Sequence, residues 1–138
     1  MKTIFFQGAF DLLNFGHVQA FELAKSKGDY LIVGLNSDEL MRWYKREPIV
    51  PYEQRLGILS AIKWIDKIIC CHEPAAIRYL KEYDADVYVL TEEWTQPQRE
   101  AIEWITAKGG EVVFSPRFKN AYDSTTIRQR VIEGARND

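Results

Sequence analysis

A chain of 138 residues, 46% hydrophobic and 28% charged, has the apolar material for one core and the composition of a folded domain, which excludes disorder as its main state. Its 18 Lys plus Arg against 20 Asp plus Glu give a net charge of −2, so no global positive field draws it to nucleic acid or anionic lipid, and any anion must be held locally. Two histidines and two adjacent cysteines, Cys70 and Cys71, exclude a disulfide scaffold and a multi-ligand zinc cage.

Thr3 to Phe6 is a short apolar run that stops near Gly8, the pattern of a buried strand feeding a loop. Helix periodicity begins near Gly16, with Val18, Ala20, Phe21 and Ala24 on one face, and Gly28 closes it. Tyr30 to Leu35 reads as a second strand, and Asn36-Ser37-Asp38 caps a short helix through about Tyr44. Lys45-Arg46-Glu47-Pro48 and Pro51 mark a charged, helix-breaking loop, before a helix from about Tyr52 to Lys63. Then come a strand at Ile65 to Cys71, a helix at Pro74 to Tyr83, a strand at Val87 to Thr91, a helix at Gln96 to Lys108, a strand at Glu111 to Phe114, and a helix after Ser124. Trp64 and Trp104 fall in or beside apolar stripes and read as packing residues, His72 as a surface or core-edge residue, and Trp43 as flanking either a site or an interface.

Strands alternating with helices of this length imply right-handed crossovers and a parallel sheet covered on both faces. The expected fold is α/β, a Rossmann-like three-layer sandwich with a five-stranded, mostly parallel sheet, in a single domain over residues 1–138. The N-terminal apolar run is too short for a signal peptide and no run is long enough for a membrane span, so a soluble, cytoplasmic protein is expected, with no membrane or nucleic-acid partner.

In such sheets ligands sit beyond the carboxyl ends of the strands. The loop Gly8 to His17 ends in the opening turn of the first helix, where free amides and the helix dipole favour an anion. Gly16 allows close backbone approach, and His17 presents a nitrogen donor to a phosphate oxygen. The same residues also fit a plain tight turn and helix start. Asp123-Ser124-Thr125-Thr126 repeats the theme at the last helix, as either an anion site or a simple N-cap. Lys45, Arg46, Arg55, Lys63, Arg117 and Lys119 are the scattered cations that could join them.

GAFDLLNFGH, then AFELAKSKGDYLIVGLNSDE, YEQR, EEW after an apolar strand, and STT at the last helix, in that order over nearly the whole chain, resemble the HxGH cytidylyltransferase family, in particular its small glycerol-3-phosphate cytidylyltransferases. The resemblance implies transfer of CMP from CTP to a phosphorylated small alcohol with release of pyrophosphate, normally with Mg2+, by a homodimer. It also implies the site. His17 would stabilise the phosphorus in flight, with Asn14, Arg46 and Lys63 as its catalytic companions, Lys63 toward the acceptor phosphate. Ala9, Phe10, Asp11, Gly16, Arg55, Glu93, Trp94, Arg117, Ser124, Thr125 and Thr126 would bind the nucleotide; no residue is assigned to a metal.

The departures from the family pattern are specific. Asn14 stands for the first histidine of HxGH and substitutes a neutral amide for a potential cation; Ala9 stands for a threonine; TEEW replaces GDDW. The closing segment is two residues longer than RTxGxSTT and lacks its glycine, so Arg117 or Lys119 could serve as its arginine, with Arg117 preferred because it follows Pro116, and Tyr122 and Asp123 have no role to inherit. An adenylyltransferase acting on a sugar phosphate shares the VGLNSDE and KGGEVV stretches, and a nucleotide-binding protein without turnover would fit Asn14. Trp94 leans toward the cytidylyl branch.

Overall fold

The computed structural model describes residues 1–118 and 122–137. Five strands, β1 (Thr3–Gly8), β2 (Tyr30–Asn36), β3 (Lys67–Cys71), β4 (Val87–Leu90) and β5 (Glu111–Phe114), alternate with helices α1 (Phe15–Lys25), α2 (Asp38–Tyr44), α3 (Tyr52–Leu59), α4 (Ile77–Glu82), α5 (Arg99–Ala107) and α6 (Ser124–Asn137). The sheet order is β3-β2-β1-β4-β5. Every adjacent pair is parallel, so the expected mostly parallel sheet is wholly so.

The register places Phe5 opposite Ile32 on one side and Tyr88 on the other, so successive side chains of β1 feed two cores. Ile4 and Phe6 pack with Phe21 and Ala24 of α1 and Leu59 of α3; Phe5 packs with Tyr79 and Leu80 of α4 and Ile105 of α5. The sandwich is held chiefly by these large side chains, each worth about 1.5–3 kcal/mol when fully buried. Trp64 and Trp104 are partly buried against the two cores, as their spacing suggests, and His72 is exposed.

Element ends differ from the sequence reading where side chains compete for backbone groups. The helix expected to reach Lys63 stops at Leu59, where the Ser60 hydroxyl donates to the Leu56 carbonyl at 2.7 Å and the chain loosens into turns. The strand expected from Ile65 begins at Lys67, because the Asp66 carboxylate is occupied by the Leu31 amide (2.8 Å) and Lys25 Nζ (2.5 Å). Glu92–Trp94, beyond β4, forms a short 3-10 turn. Among the described residues no helix is long and apolar enough to cross a membrane. Residues 128–136 of α6 are all exposed, Val131 and Ile132 included.

Candidate active site

The strand order reverses at β1, which pairs with β2 on one side and β4 on the other. At the carboxyl ends of these strands lies a cavity of about 880 Å³, bordered by the ends of β1, β2, β4 and β5, the loop after α2, and the starts of α1 and α6. It occupies the crevice that this topology creates.

The first loop is folded back on itself. Phe10 (φ 50°) and Leu12 (φ 51°) both take the left-handed conformation that a bulky residue avoids. Packing holds Phe10 there, its ring centroid lying 5.4 Å from that of Phe6, 4.9 Å from Phe21 and 5.8 Å from His17. A Cβ on Gly8 would stand 2.8 Å from this ring, so the turn needs glycine at that point. The fold-back carries Asp11 inward to 4% exposure. Its carboxylate accepts from Arg46 Nη1 (2.8 Å) and from the amides of Ile49 (2.8 Å) and Val50 (2.9 Å), clamping the basic loop after α2 to the first loop. Burial alone would raise the Asp11 pKa, but the Ile49 and Val50 amides and the Arg46 guanidinium outweigh it and hold the carboxyl below its ordinary range.

His17 sits in the first turn of α1. Its Nδ1 accepts from the Asn14 backbone amide at 3.1 Å, which puts the proton of the neutral ring on Nε2. Burial pushes its pKa down to about 4, Lys45 adds to the fall and Asp11 opposes it. At neutral pH this histidine is therefore an uncharged hydrogen-bond donor bordering the cavity.

Asn14 is spent on the structure: Oδ1 accepts from the Gly16 amide (2.9 Å), capping α1, and Nδ2 donates to the Leu12 carbonyl (3.2 Å) and Ser124 Oγ (3.5 Å). Ser124 in turn donates to the Asp11 carbonyl at 2.8 Å, so the two helix starts stand side by side. Their amides, though, are partly taken. Asn14 occupies that of Gly16, and Asp123 Oδ1 accepts from Thr126 at 2.8 Å, capping α6. Asp123 thus has the role that the family pattern left blank: at the last helix the N-cap alternative is the one formed, and at the first helix the Gly16 amide, expected free, is capped by Asn14. Thr125 and Thr126 border the cavity.

Of the cations, Lys45, Arg46, Arg117 and Arg128 border the cavity. Arg46 is neutralised by Asp11, and Arg117 pairs with Glu93, whose Oε1 also accepts from Thr91 Oγ1. Lys45 makes no ion pair among the described residues. Burial lowers its pKa, as do Arg46, Arg128 and Arg117 around it, against the pull of Asp11. Trp94 meets Tyr44 edge-on, with centroids 6.3 Å apart.

Two expected site residues lie elsewhere. Arg55 is 1% exposed and donates to the carbonyls of Val50 (2.9 Å), Ala9 (2.7 Å) and Asn36 (2.8 Å) and to Asp38 (2.7 Å), so it braces the loops from beneath and does not border the cavity. Lys63 is exposed, outside the cavity, with its ammonium 4.6 Å from the Trp64 ring centroid, because the helix meant to carry it ends one turn early. Lys119 lies outside the described residues. Arg128 borders the cavity without having been singled out from the sequence, and Lys45 and Asp123, named there but given no role by the resemblance, border it as well. Asp123 was legible, since an Asp three residues before Thr126 is a capping spacing.

A metal ion finds no ready cage. Among the described residues no three acidic, histidine or cysteine side chains converge, and the acidic residues bordering the cavity are occupied, Asp11 by the basic loop, Glu93 by Arg117 and Asp123 by the α6 amide.

The family model for cytidylyltransferase-like proteins matches residues 5–130. The chain belongs to that family, and with it to the nucleotidyltransferases. It is 34% identical over 133 residues to the bifunctional protein HldE of Geobacter metallireducens, a match covering 95% of this chain and 27% of that protein. It is 34% identical over 87 residues to the "Probable ethanolamine-phosphate cytidylyltransferase" of Encephalitozoon cuniculi, covering 62% of this chain and 27% of that protein. The chain spans about a quarter of the length of these curated relatives. Among solved structures, the lipopolysaccharide core biosynthesis protein from Thermoplasma volcanium superposes with a TM-score of 0.74 at 26% identity, covering 86% of this chain and 99% of that one. Family membership and the Rossmann-like fold thus agree with the sequence reading.

Proposed function

We propose that this cytidylyltransferase-like chain transfers CMP from CTP to a phosphorylated small alcohol and releases pyrophosphate. The observation that carries the reading is the neutral His17, its proton on Nε2, at the meeting point of two helix starts and near Lys45, which makes no ion pair among the described residues. In this reaction an acceptor phosphate oxygen attacks the α-phosphorus in line; a new P–O bond forms as the bond to the bridging oxygen of pyrophosphate breaks, with no covalent enzyme intermediate. What the protein must supply is alignment and relief of charge.

His17 would hydrogen-bond an α-phosphate oxygen as its charge grows, and the donor needs no change of protonation at neutral pH. Lys45 and Arg128 would offset the triphosphate, joined by Arg117 once it leaves Glu93. Mg2+ would come as the counter-ion of the nucleotide, held mainly by phosphate oxygens, since among the described residues the cavity offers no cage of its own. Ribose and base against Glu93, Trp94 and the segment at Arg117, as the family resemblance implies, would leave the part of the cavity bordered by Gln7 and Asn36 to the acceptor, with Tyr44 between it and Trp94.

Adenylyl transfer to a sugar phosphate is the second reading, favoured by the VGLNSDE and KGGEVV stretches. Pyrophosphate release with each of the four nucleoside triphosphates over a panel of phosphorylated alcohols and sugars separates the two. Selective use of CTP is expected; selective use of ATP replaces the first reading with the second, and binding without release defeats both.

A further inference from the structure

The acceptor side of the cavity has its own hydrogen-bond logic. Gln7, at the end of β1, points to the same face of the sheet as Phe5, and its Nε2 donates both to Asn36 Oδ1 (2.9 Å) and to the Glu73 carbonyl (3.0 Å). Two acceptors fix the amide one way round, so the other atom must be the oxygen. That oxygen, Oε1, is shielded from solvent and accepts no hydrogen bond among the described residues. Asn36 Nδ2 donates to the Tyr44 hydroxyl oxygen at 3.0 Å, which leaves the Tyr44 proton to point elsewhere, and among the described residues it has no acceptor. Burial raises the pKa of Tyr44, so the phenol keeps that proton. Gln7, Asn36 and Tyr44 all border the cavity.

One chain of hydrogen bonds therefore ends in an unused acceptor at Gln7 and an unused donor at Tyr44. An alcohol group is both donor and acceptor, whereas an ammonium can only donate. We infer that Gln7 and Tyr44 read a hydroxyl on the carbon skeleton of the acceptor, making the acceptor a phosphorylated polyol or sugar and Gln7 a specificity-determining residue. The inference rests on the transferase reading above. Because Oε1 is shielded, the hydroxyl reaches it with a side-chain adjustment of the kind common on binding. A site built this way rejects an analogue lacking the hydroxyl, since its buried polar atoms are then left unpaired.

The test compares glycerol 3-phosphate, n-propyl phosphate and ethanolamine phosphate as acceptors, with the nucleotide the protein prefers, in the wild type, Gln7→Leu and Tyr44→Phe. Calorimetric binding of the same three phosphates is measured alongside. The wild type should prefer glycerol 3-phosphate to n-propyl phosphate by about 10- to 100-fold in kcat/KM and in affinity. Each substitution should bring that ratio toward one mainly through loss with glycerol 3-phosphate. Gln7→Leu also cuts the ties to Asn36 and Glu73, so Tyr44→Phe, which keeps the ring and loses only the hydroxyl, is the deciding variant if Gln7→Leu fails to fold.

Equal use of glycerol and propyl phosphates by the wild type overturns the inference, as does a preference for ethanolamine phosphate. A CTP-to-ATP ratio that changes in Tyr44→Phe or Gln7→Leu also overturns it, by making these residues readers of the base. If no nucleotide and acceptor pair releases pyrophosphate, it is the transferase reading that fails; the three affinities then decide this inference alone, and equal values refute it.

Discussion

The state of His17 can be measured directly. Burial and the neighbouring Lys45 push its pKa from 6.5 to about 4, against the opposing pull of Asp11. Because the folded value is depressed, the unfolded chain takes up a proton between these pH values that the folded chain refuses. Stability from this residue is fully present above pH 6.5 and is lost as the pH falls toward 4. At about 1.4 kcal/mol per pKa unit, the loss amounts to about 3 kcal/mol. In a chain of this size that corresponds to roughly 10 °C in Tm. The assay is a histidine proton–carbon NMR titration, assigned with His72→Gln, together with thermal melts of the wild type and His17→Gln at pH 7 and pH 4. Carboxylates titrate in the same range in both proteins, so the difference between their pH slopes isolates His17. Addition of a nucleoside triphosphate should raise the His17 pKa by bringing negative charge to the ring. An imidazole titrating near 6.5 without ligand, or equal pH slopes in the two proteins, would refute the burial argument and with it the neutral donor.

Asp11→Asn should cost about 3–5 kcal/mol in urea unfolding, because it leaves the partly buried Arg46 without its counter-charge and weakens the clamp on Ile49 and Val50; a cost under about 1 kcal/mol contradicts the clamp. The depressed Asp11 pKa has the opposite pH sense to a raised one, its stabilisation being present above the unfolded value of 3.8 and lost as the pH falls through the lower folded value. Asn14→His, which restores the family histidine, should lower stability by about 1 kcal/mol through loss of the α1 cap and should not raise turnover; faster pyrophosphate release would show that Asn14 is only a weakened donor. Lys45→Gln should lower kcat/KM by about 100-fold with a near-unchanged melt, and Arg46→Gln should chiefly lower the melt; the reverse pattern would return the catalytic cation to Arg46.

The fold was legible because its determinants are local. Apolar runs such as Thr3 to Phe6 and Tyr30 to Leu35, separated by helical stripes, dictate parallel crossovers whatever the tertiary detail. The start of the last helix was legible too, since the Asp123-Ser124 run also reads as an N-cap, whereas Asn14, read from the resemblance as a companion of His17, shows its capping role only in the structure. What the sequence hid was how opposite charges pair. Lys45 and Arg46 are adjacent and chemically alike, and only the fold-back at Phe10, which sends Asp11 beneath the basic loop, decides that Arg46 is neutralised and Lys45 is left to the cavity. Arg55 follows the same logic: the resemblance implies that it binds the nucleotide, but three backbone carbonyls and Asp38 capture its guanidinium beneath the loops. Lys63 was lost to a boundary, because nothing in the apolar stripe from Leu56 to Ile62 announces that the helix ends at Leu59.

The role given to His17 is tested most directly by pyrophosphate release with CTP and a saturating phosphorylated polyol, in the wild type and in His17→Ala, with CTP affinity measured on both. Removal of a donor that acts on growing charge should lower kcat by about 100- to 1,000-fold while leaving CTP affinity within a few-fold of wild type. A variant that turns over at near wild-type rate would contradict the assignment.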